Sequence, residues 1–330
     1  MRPSACLAAL LAAAALALGG CSAGDEDGAP NIAATLLLDS RPSAVHTGIY
    51  MAVTRGYDEA LGVHLRVRAP SRGTNAVRLL SAGRVAFAIL DIHDLAAARA
   101  RGRDLVGVMA LVQTPLQALL AQPPVRTPRA LQGRHVGVGE RPADRAVLRS
   151  IVAGAGGDPG KVLVTRIGSG AVASLLSWRV AGATAPWDTD GVAVRALRPR
   201  IREFRVEDYG APAYPELLLS VRRRLLRDDP ALVRATVEAL ARGYEEVLAD
   251  PESGVSALPA ATSAERRTVV QRELDAVSPS FTAGARAFGE LDPGRLRAWA
   301  RWERRVGLVR RVPDVGRAFD GRYVPRPGRD

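Results

Sequence analysis

Few side chains in this sequence could do covalent or metal chemistry. There are two cysteines, Cys6 and Cys21, and four histidines, His46, His64, His93 and His135. Lys161 is the only lysine among 46 basic residues. With no cysteine beyond residue 21, the body of the chain has no disulfide, no cysteine-based zinc site and no thiol nucleophile. No two histidines stand at a metal-ligand spacing such as H-E-x-x-H, and no G-x-S-x-G elbow marks a serine hydrolase. What remains is chemistry of recognition. Aromatic rings stack on planar solutes, and carboxylates accept hydrogen bonds from amines. No metal and no cofactor is expected.

The elements that would position such groups follow a regular alternation. Thr35 to Leu38 reads as a short strand ending at Asp39, and Val45 to Arg55 as a helix stopped by Gly56. Val63, Leu65 and Val67 alternate with His64, Arg66 and Arg68, the signature of a half-buried strand. Helix, strand and helix follow at Asn75 to Ala82, Val85 to Leu90 and Asp91 to Arg101, then a strand at Leu105 to Val112. The series resumes at His135 to Val138 and continues through a helix at Ala143 to Ala153 and a strand at Val162 to Arg166. A helix near Val172, a strand at Ala181 to Ala185 and a helix at Gly191 to Leu197 complete it. Repeated βαβ units imply a mostly parallel sheet with helices on both faces. After a last strand at Glu216 to Val221 the chain turns helical, with Asp229-Pro230 as a cap and first-turn proline.

Proline-rich breaks at Gln113 to Pro128 and Tyr209 to Pro215 suggest where the chain leaves one lobe and returns. The expected architecture is an α/β clamshell: residues 31–115 and 211–330 as a large lobe with a C-terminal helical region, and 116–210 as an inserted second lobe. A length of 330 residues suits two lobes better than one core.

The N-terminus reads as an export signal. Leu7 to Leu18 is apolar but shorter than the roughly 20 residues a membrane span needs. Leu18-Gly19-Gly20-Cys21 follows, similar to the box at which bacterial lipoproteins are cleaved and acylated. The expectation is a signal peptide over residues 1–20, lipidation of Cys21, and a tether over 21–30 holding the protein at the outer face of the cell membrane. The net charge of +12 raises the question of nucleic acid. The arginines are scattered, no nucleic-acid motif is present, and an exported protein would not meet that partner.

Asp39-Ser40-Arg41-Pro42-Ser43-Ala44-Val45-His46-Thr47-Gly48-Ile49-Tyr50-Met51-Ala52 resembles the opening motif of the NMT1/THI5-like family, D-W-x-P-N-x-x-H-x-G-hydrophobic-Y-x-A. Gly56-Tyr57, Ala82-Gly83 with Phe87, Trp187-Asp188-Thr189-Asp190-Gly191, Asp208-Tyr209-Gly210-Ala211-Pro212-Ala213-Tyr214-Pro215-Glu216-Leu217 and Asp229-Pro230 through Gly243-Tyr244 resemble later family motifs in the same order. Ser40 and Ser43 depart from the family tryptophan and asparagine. The resemblance implies a type II periplasmic-binding-protein fold and, in bacteria, the solute receptor of an ABC importer. Its partners would be a permease, an ATPase reached through the permease, and a small solute: a thiamine pyrimidine precursor or other heterocycle, or alternatively a sulfonate. Fungal members are instead synthases. A sensor or enzyme on the same fold is the remaining alternative. The residues expected at the solute are Asp39, His46 and Tyr50, Asp91 and His93 after the third strand, Trp187 and Asp190 from the inserted lobe, and Tyr214 and Glu216 at the second crossing.

Overall fold

The computed structural model describes residues 31–325. The expected signal peptide over residues 1–20, lipidation at Cys21 and tether over 21–30 lie outside the described residues. Among the described residues, ten strands form two separate five-stranded sheets, the first ordered β2-β1-β3-β10-β4 and the second β7-β6-β8-β5-β9. In the first sheet, β1 (Ile32–Leu37), β2 (Val63–Arg68) and β3 (Phe87–Asp91) run parallel. β4 (Leu105–Val112) completes the outgoing set, and β10 (Leu217–Arg222) returns antiparallel between β3 and β4. In the second sheet, β6 (His135–Val138), β7 (Leu163–Arg166) and β8 (Gly182–Pro186) are parallel. There β5 (Gln117–Ala121) runs antiparallel between β8 and the edge strand β9 (Arg202–Arg205).

The patterning explains which strands sit where. β3, β4 and β5 are buried at every residue, as strands covered by helices on both faces must be. β2 is an edge strand: Val63 and Leu65 face inward, while His64 and Arg66 are exposed. β5 and β9 are the two strands that sequence periodicity does not mark. Gln117–Ala121 lies inside the proline-rich break, between Pro115 and Pro123, and five apolar-rich residues carry no period of their own. Arg202–Arg205 buries only Phe204. The first crossover between sheets is accordingly very short, Gln113 to Leu116.

Behind the first sheet lie the helices that follow β10. The longest, Pro230–Ala249, is capped by Asp229, whose side chain accepts from Leu232 N–H. It packs across the helix Thr47–Thr54. The helix Ala264–Val277 touches both the 3-10 turn Ala44–His46 of the first-sheet unit and the helix Asp190–Leu197 of the second. The helix Pro293–Arg305 buries Leu296, Trp299, Ala300, Trp302 and Glu303.

Candidate functional site

The topology sends one edge of each sheet toward the same place. The register sets Leu217 of β10 opposite Asp91 of β3 and Val112 of β4. The carboxyl ends of β3 and β4 and the start of β10 therefore share one edge, which is where ligands collect in open α/β sheets. The short crossover carries the chain from β4 to the start of β5, whose Gln117 pairs with Pro186 at the end of β8. Trp187 to Asp190 follow directly.

Asp39 lies two residues past the end of β1, with its side chain 24% exposed. His46 is fully buried, and its Nε2 lies 2.8 Å from Asp39 Oδ1. Ser43 N–H donates to His46 Nδ1 at 3.2 Å, which leaves Nε2 as the nitrogen that donates to Asp39. Burial pushes the Asp39 carboxyl up, but the charge and hydrogen bond of His46 outweigh it, and the group titrates below its ordinary value. Tyr50 is half-buried and packs against the apolar core, its hydroxyl pushed up by burial. A cavity of about 260 Å³ opens at the ends of β1 to β3, lined in part by Asp39, Asn75, Asp91, Asp94 and Arg101.

Asp91, His93, Tyr214 and Glu216 come together, all at most 5% exposed. Asp91 caps the helix Ile92–Ala100, its Oδ1 accepting from His93 N–H at 2.7 Å. His93 Nδ1 lies 2.6 Å from Glu303 Oε2, and its Nε2 lies 3.2 Å from the Tyr214 hydroxyl. Leu116 N–H donates to Glu216 Oε2 at 3.2 Å, so the first crossover is tied to the second. From the second sheet, Arg141 donates to Asp91 Oδ2 at 2.8 Å. Burial opposes a charge on His93, but Asp91, Glu303 and Glu216 outweigh it and raise its pKa to about 9. Burial, then the charge of Asp91, pushes Glu216 up to about 8.

Asp91, His93 and Glu216 offer ligand atoms within 4.8 Å of one another, the one such group among the described residues. No sequence spacing reveals it, because Glu216 joins Asp91 and His93 from a segment more than a hundred residues further along the chain. Each member already holds a protein partner, so the arrangement is a closed network of charges. Two of its members were absent from the sequence reading. Glu303 had a signal: it stands three and four residues after Ala300 and Trp299 on the apolar stripe of its helix, where a carboxylate needs a partner. Arg141 had none beyond preceding Pro142.

On the second-sheet side, Trp187 differs from a cleft-facing ring. It is fully buried. Its indole N–H donates to the Pro115 carbonyl at 2.9 Å, its backbone N–H to Leu116 O, and the Arg205 guanidinium lies over its ring at 3.8 Å. The expectation of an open stacking face is corrected: in this conformation the indole anchors the crossover. Asp190 opens the helix Asp190–Leu197 half-buried, with its carboxyl raised by burial. Its neighbour Asp188, missing from the sequence reading, is 2% exposed, and Oδ1 has no hydrogen-bond partner. Burial above all, with Glu273, Asp39 and Asp190 adding like charge, pushes Asp188 to about 7.

Two mixed sheets joined by two crossovers, with a returning strand inserted in each, define the type II periplasmic-binding-protein fold. The periplasmic aliphatic sulphonate binding protein SsuA from Escherichia coli shares it, with a TM-score of 0.69 at 14% identity over 90% of this chain and 97% of that one. The chain belongs to the NMT1/THI5-like family, whose model matches residues 43–254. It is 28% identical over 226 residues, 68% of each chain, to a formylaminopyrimidine-binding protein of Halalkalibacterium halodurans. It is 21% identical over 239 residues, 66% of this chain and 67% of the other, to the 4-amino-5-hydroxymethyl-2-methylpyrimidine phosphate synthase THI5 of Saccharomyces cerevisiae.

Proposed function

We propose that this protein is the extracytoplasmic solute receptor of an ABC importer, closing two lobes on one small heterocyclic molecule of the pyrimidine-precursor type. The lobes are residues 31–115 with 211–330, and 116–210. The observation that carries the reading is the facing pair of sheet edges. One offers Asp39, His46, Asp91 and Glu216, the other Asp190, and Arg141 reaches across to Asp91. Carboxylates at a crevice suit the exocyclic amines of a nitrogen heterocycle, and the named function of the Halalkalibacterium relative points the same way. Buried His93, Trp187 and Tyr214, with half-buried Tyr50, then support the crevice from behind.

The synthase named in yeast is the competing activity. Chemistry through a lysine Schiff base would need a lysine at the crevice. Lys161 is exposed and precedes β7. β7 runs parallel to β6 and β8, so Lys161 sits at the opposite end of the sheet from Trp187 and Asp190. The receptor reading is therefore preferred, with the permease and its ATPase as partners.

Isothermal titration with formylaminopyrimidine, combined with small-angle scattering, tests the reading. One solute per chain and a smaller radius of gyration are expected, with the solute recovered unchanged. Conversion of the solute would establish an enzyme instead. Attachment is tested separately. No helix among the described residues is long and apolar enough to cross a membrane. Cys21→Ala is expected to leave the protein unprocessed or to release it from the membrane fraction. A processed variant that stays membrane-bound would end the lipid-anchor proposal.

A further inference from the structure

Asp188 brings a buried carboxylate with an unpartnered oxygen to the end of β8. It is 2% exposed, and its Oδ1 lacks a hydrogen-bond partner. The charged groups that act on it, Glu273, Asp39 and Asp190, are all acidic. They arrive from three parts of the chain. Asp39 follows β1, Asp188 and Asp190 follow β8, and Glu273 stands on the helix that touches both the His46 turn and the helix Asp190–Leu197. Burial raises the carboxyls of Asp190 and Glu273. Two basic groups meet the set at its edges: His46, whose Nε2 is already committed to Asp39, and Arg266, which acts on Glu273 from the same helix; the charges acting most on Asp188 itself are the three acids. The contrast with the neighbouring network is informative. There, Asp91 is met by Arg141 from across the crevice. In a chain of net charge +12 with 46 basic residues, a counter-cation for Asp188 would be easy to supply.

The like charge that Glu273, Asp39 and Asp190 place on buried Asp188 is costly in the unliganded protein. A buried unpaired acceptor is costly as well. Both costs fall when a positive charge and N–H donors enter between them. Sulfonates and nitrate, being anions, would add to the repulsion. We propose that the solute is a cation, an ammonium- or amidinium-bearing heterocycle, and that Asp188 and Glu273 select it by charge. This rests on the receptor reading and narrows it from any pyrimidine-like solute to one carrying positive charge. A cation favours ionised Asp188. With the unliganded group titrating near pH 7, binding must release a proton at lower pH. Affinity for a cation should therefore climb as pH rises toward that value, whereas affinity for a neutral analogue should not.

The experiment is titration of the purified chain with three probes of differing charge, between about pH 5.5 and pH 7.5. They are formylaminopyrimidine, the aminomethylpyrimidine it becomes on losing its formyl group, and ethanesulfonate. The ammonium probe is expected to bind at least about ten-fold tighter than the formyl one near neutrality, the scale of one hydrogen bond to a charged group. The preference should shrink as the pH falls. Asp188→Asn, which keeps the shape, should remove both the preference and the pH slope. Glu273→Gln should reduce the preference, and Glu265→Gln on the exposed face of the same helix should do neither. The wild-type charge ranking is decisive without any variant. Equal binding of the ammonium and formyl probes, or tighter binding of the sulfonate, overturns the inference and leaves the receptor reading standing. Binding of none of the three removes the receptor reading, and the inference with it.

Discussion

Glu303→Ala is expected to destabilise the protein by about 3–5 kcal/mol, the usual cost of removing one partner from a buried ion pair. The reason is the residue left behind. His93 is 5% exposed, its Nδ1 directed at Glu303 Oε2 at 2.6 Å and its ring packed against Tyr214 and Trp302. Without Glu303, a buried imidazole nitrogen has nowhere to donate. Replacing His93 and Glu303 together by apolar residues should recover much of the loss, since the desolvation cost disappears with the charges. The pH dependence gives a second readout. The folded pKa of His93 is about 9, above its unfolded value near 6.5. A raised histidine stabilises fully below its unfolded pKa, and that contribution is lost as pH climbs through the folded pKa. Glu216, raised to about 8, acts in the same direction. Its carboxyl ionises at a cost in the folded protein, so stability falls between its unfolded pKa near 4.3 and 8. The urea midpoint should therefore drop between about pH 4.5 and pH 9. Glu216→Gln should remove the early part of that drop and His93→Gln the later part. A Glu303→Ala protein within 1 kcal/mol of wild type, or a midpoint flat across this range, would show that the network carries no net energy.

That network also marks the limit of what the chain discloses before folding. The alternation of Val63 and Leu65 with His64 and Arg66 is visible in one dimension and is kept in the structure. So are the wholly apolar β4 and the Asp229-Pro230 helix start. These are local patterns, and local physics produces them. β5 escapes because a central strand buried on both faces has no period, and prolines flank it. Asp91, His93 and Glu216 were each singled out, but not as one group, since their meeting depends on β10 returning between β3 and β4. Arg141 gives no warning at all, because its partner lies on the other sheet. Asp188 stands beside Trp187 in a run that draws attention to the ring and to Asp190. Its oxygen without a donor exists as a feature only once the interior is assembled. The tryptophan went the other way. A ring following a strand end suggests an exposed platform, yet its one polar atom is satisfied by Pro115 and its face by Arg205.

The glycines of the family-like motifs lead to the other large effect, and its sign separates two physical accounts. Gly243 lies inside the helix Pro230–Ala249, where propensity alone says alanine should stabilise by about 1 kcal/mol. The packing says the opposite. A Cβ on Gly243 would stand 2.2 Å from the Gly48 carbonyl oxygen and 2.7 Å from Ala52 N, both backbone atoms that cannot swing aside. Gly48 faces a similar constraint, its Cβ position being 2.2 Å from Cγ of Tyr244. The two helices thus meet backbone to backbone. Tyr244, beside Gly243, completes the joint: its hydroxyl donates to Val45 O at 2.6 Å, and its ring stacks on Phe288 with centroids 4.3 Å apart. Gly243→Ala is therefore expected to destabilise by roughly 3 kcal/mol, the top of the overpacking range. Because the joint holds the Val45–His46 turn, the same change should loosen the Asp39–His46 pair and weaken solute binding. Both are read from urea denaturation and a titration on the same sample. A Gly243→Ala protein more stable than wild type would mean that the helices separate at little cost. His46 would then be held by its own turn, through Ser43 and Asp39, and not by the crossing behind it.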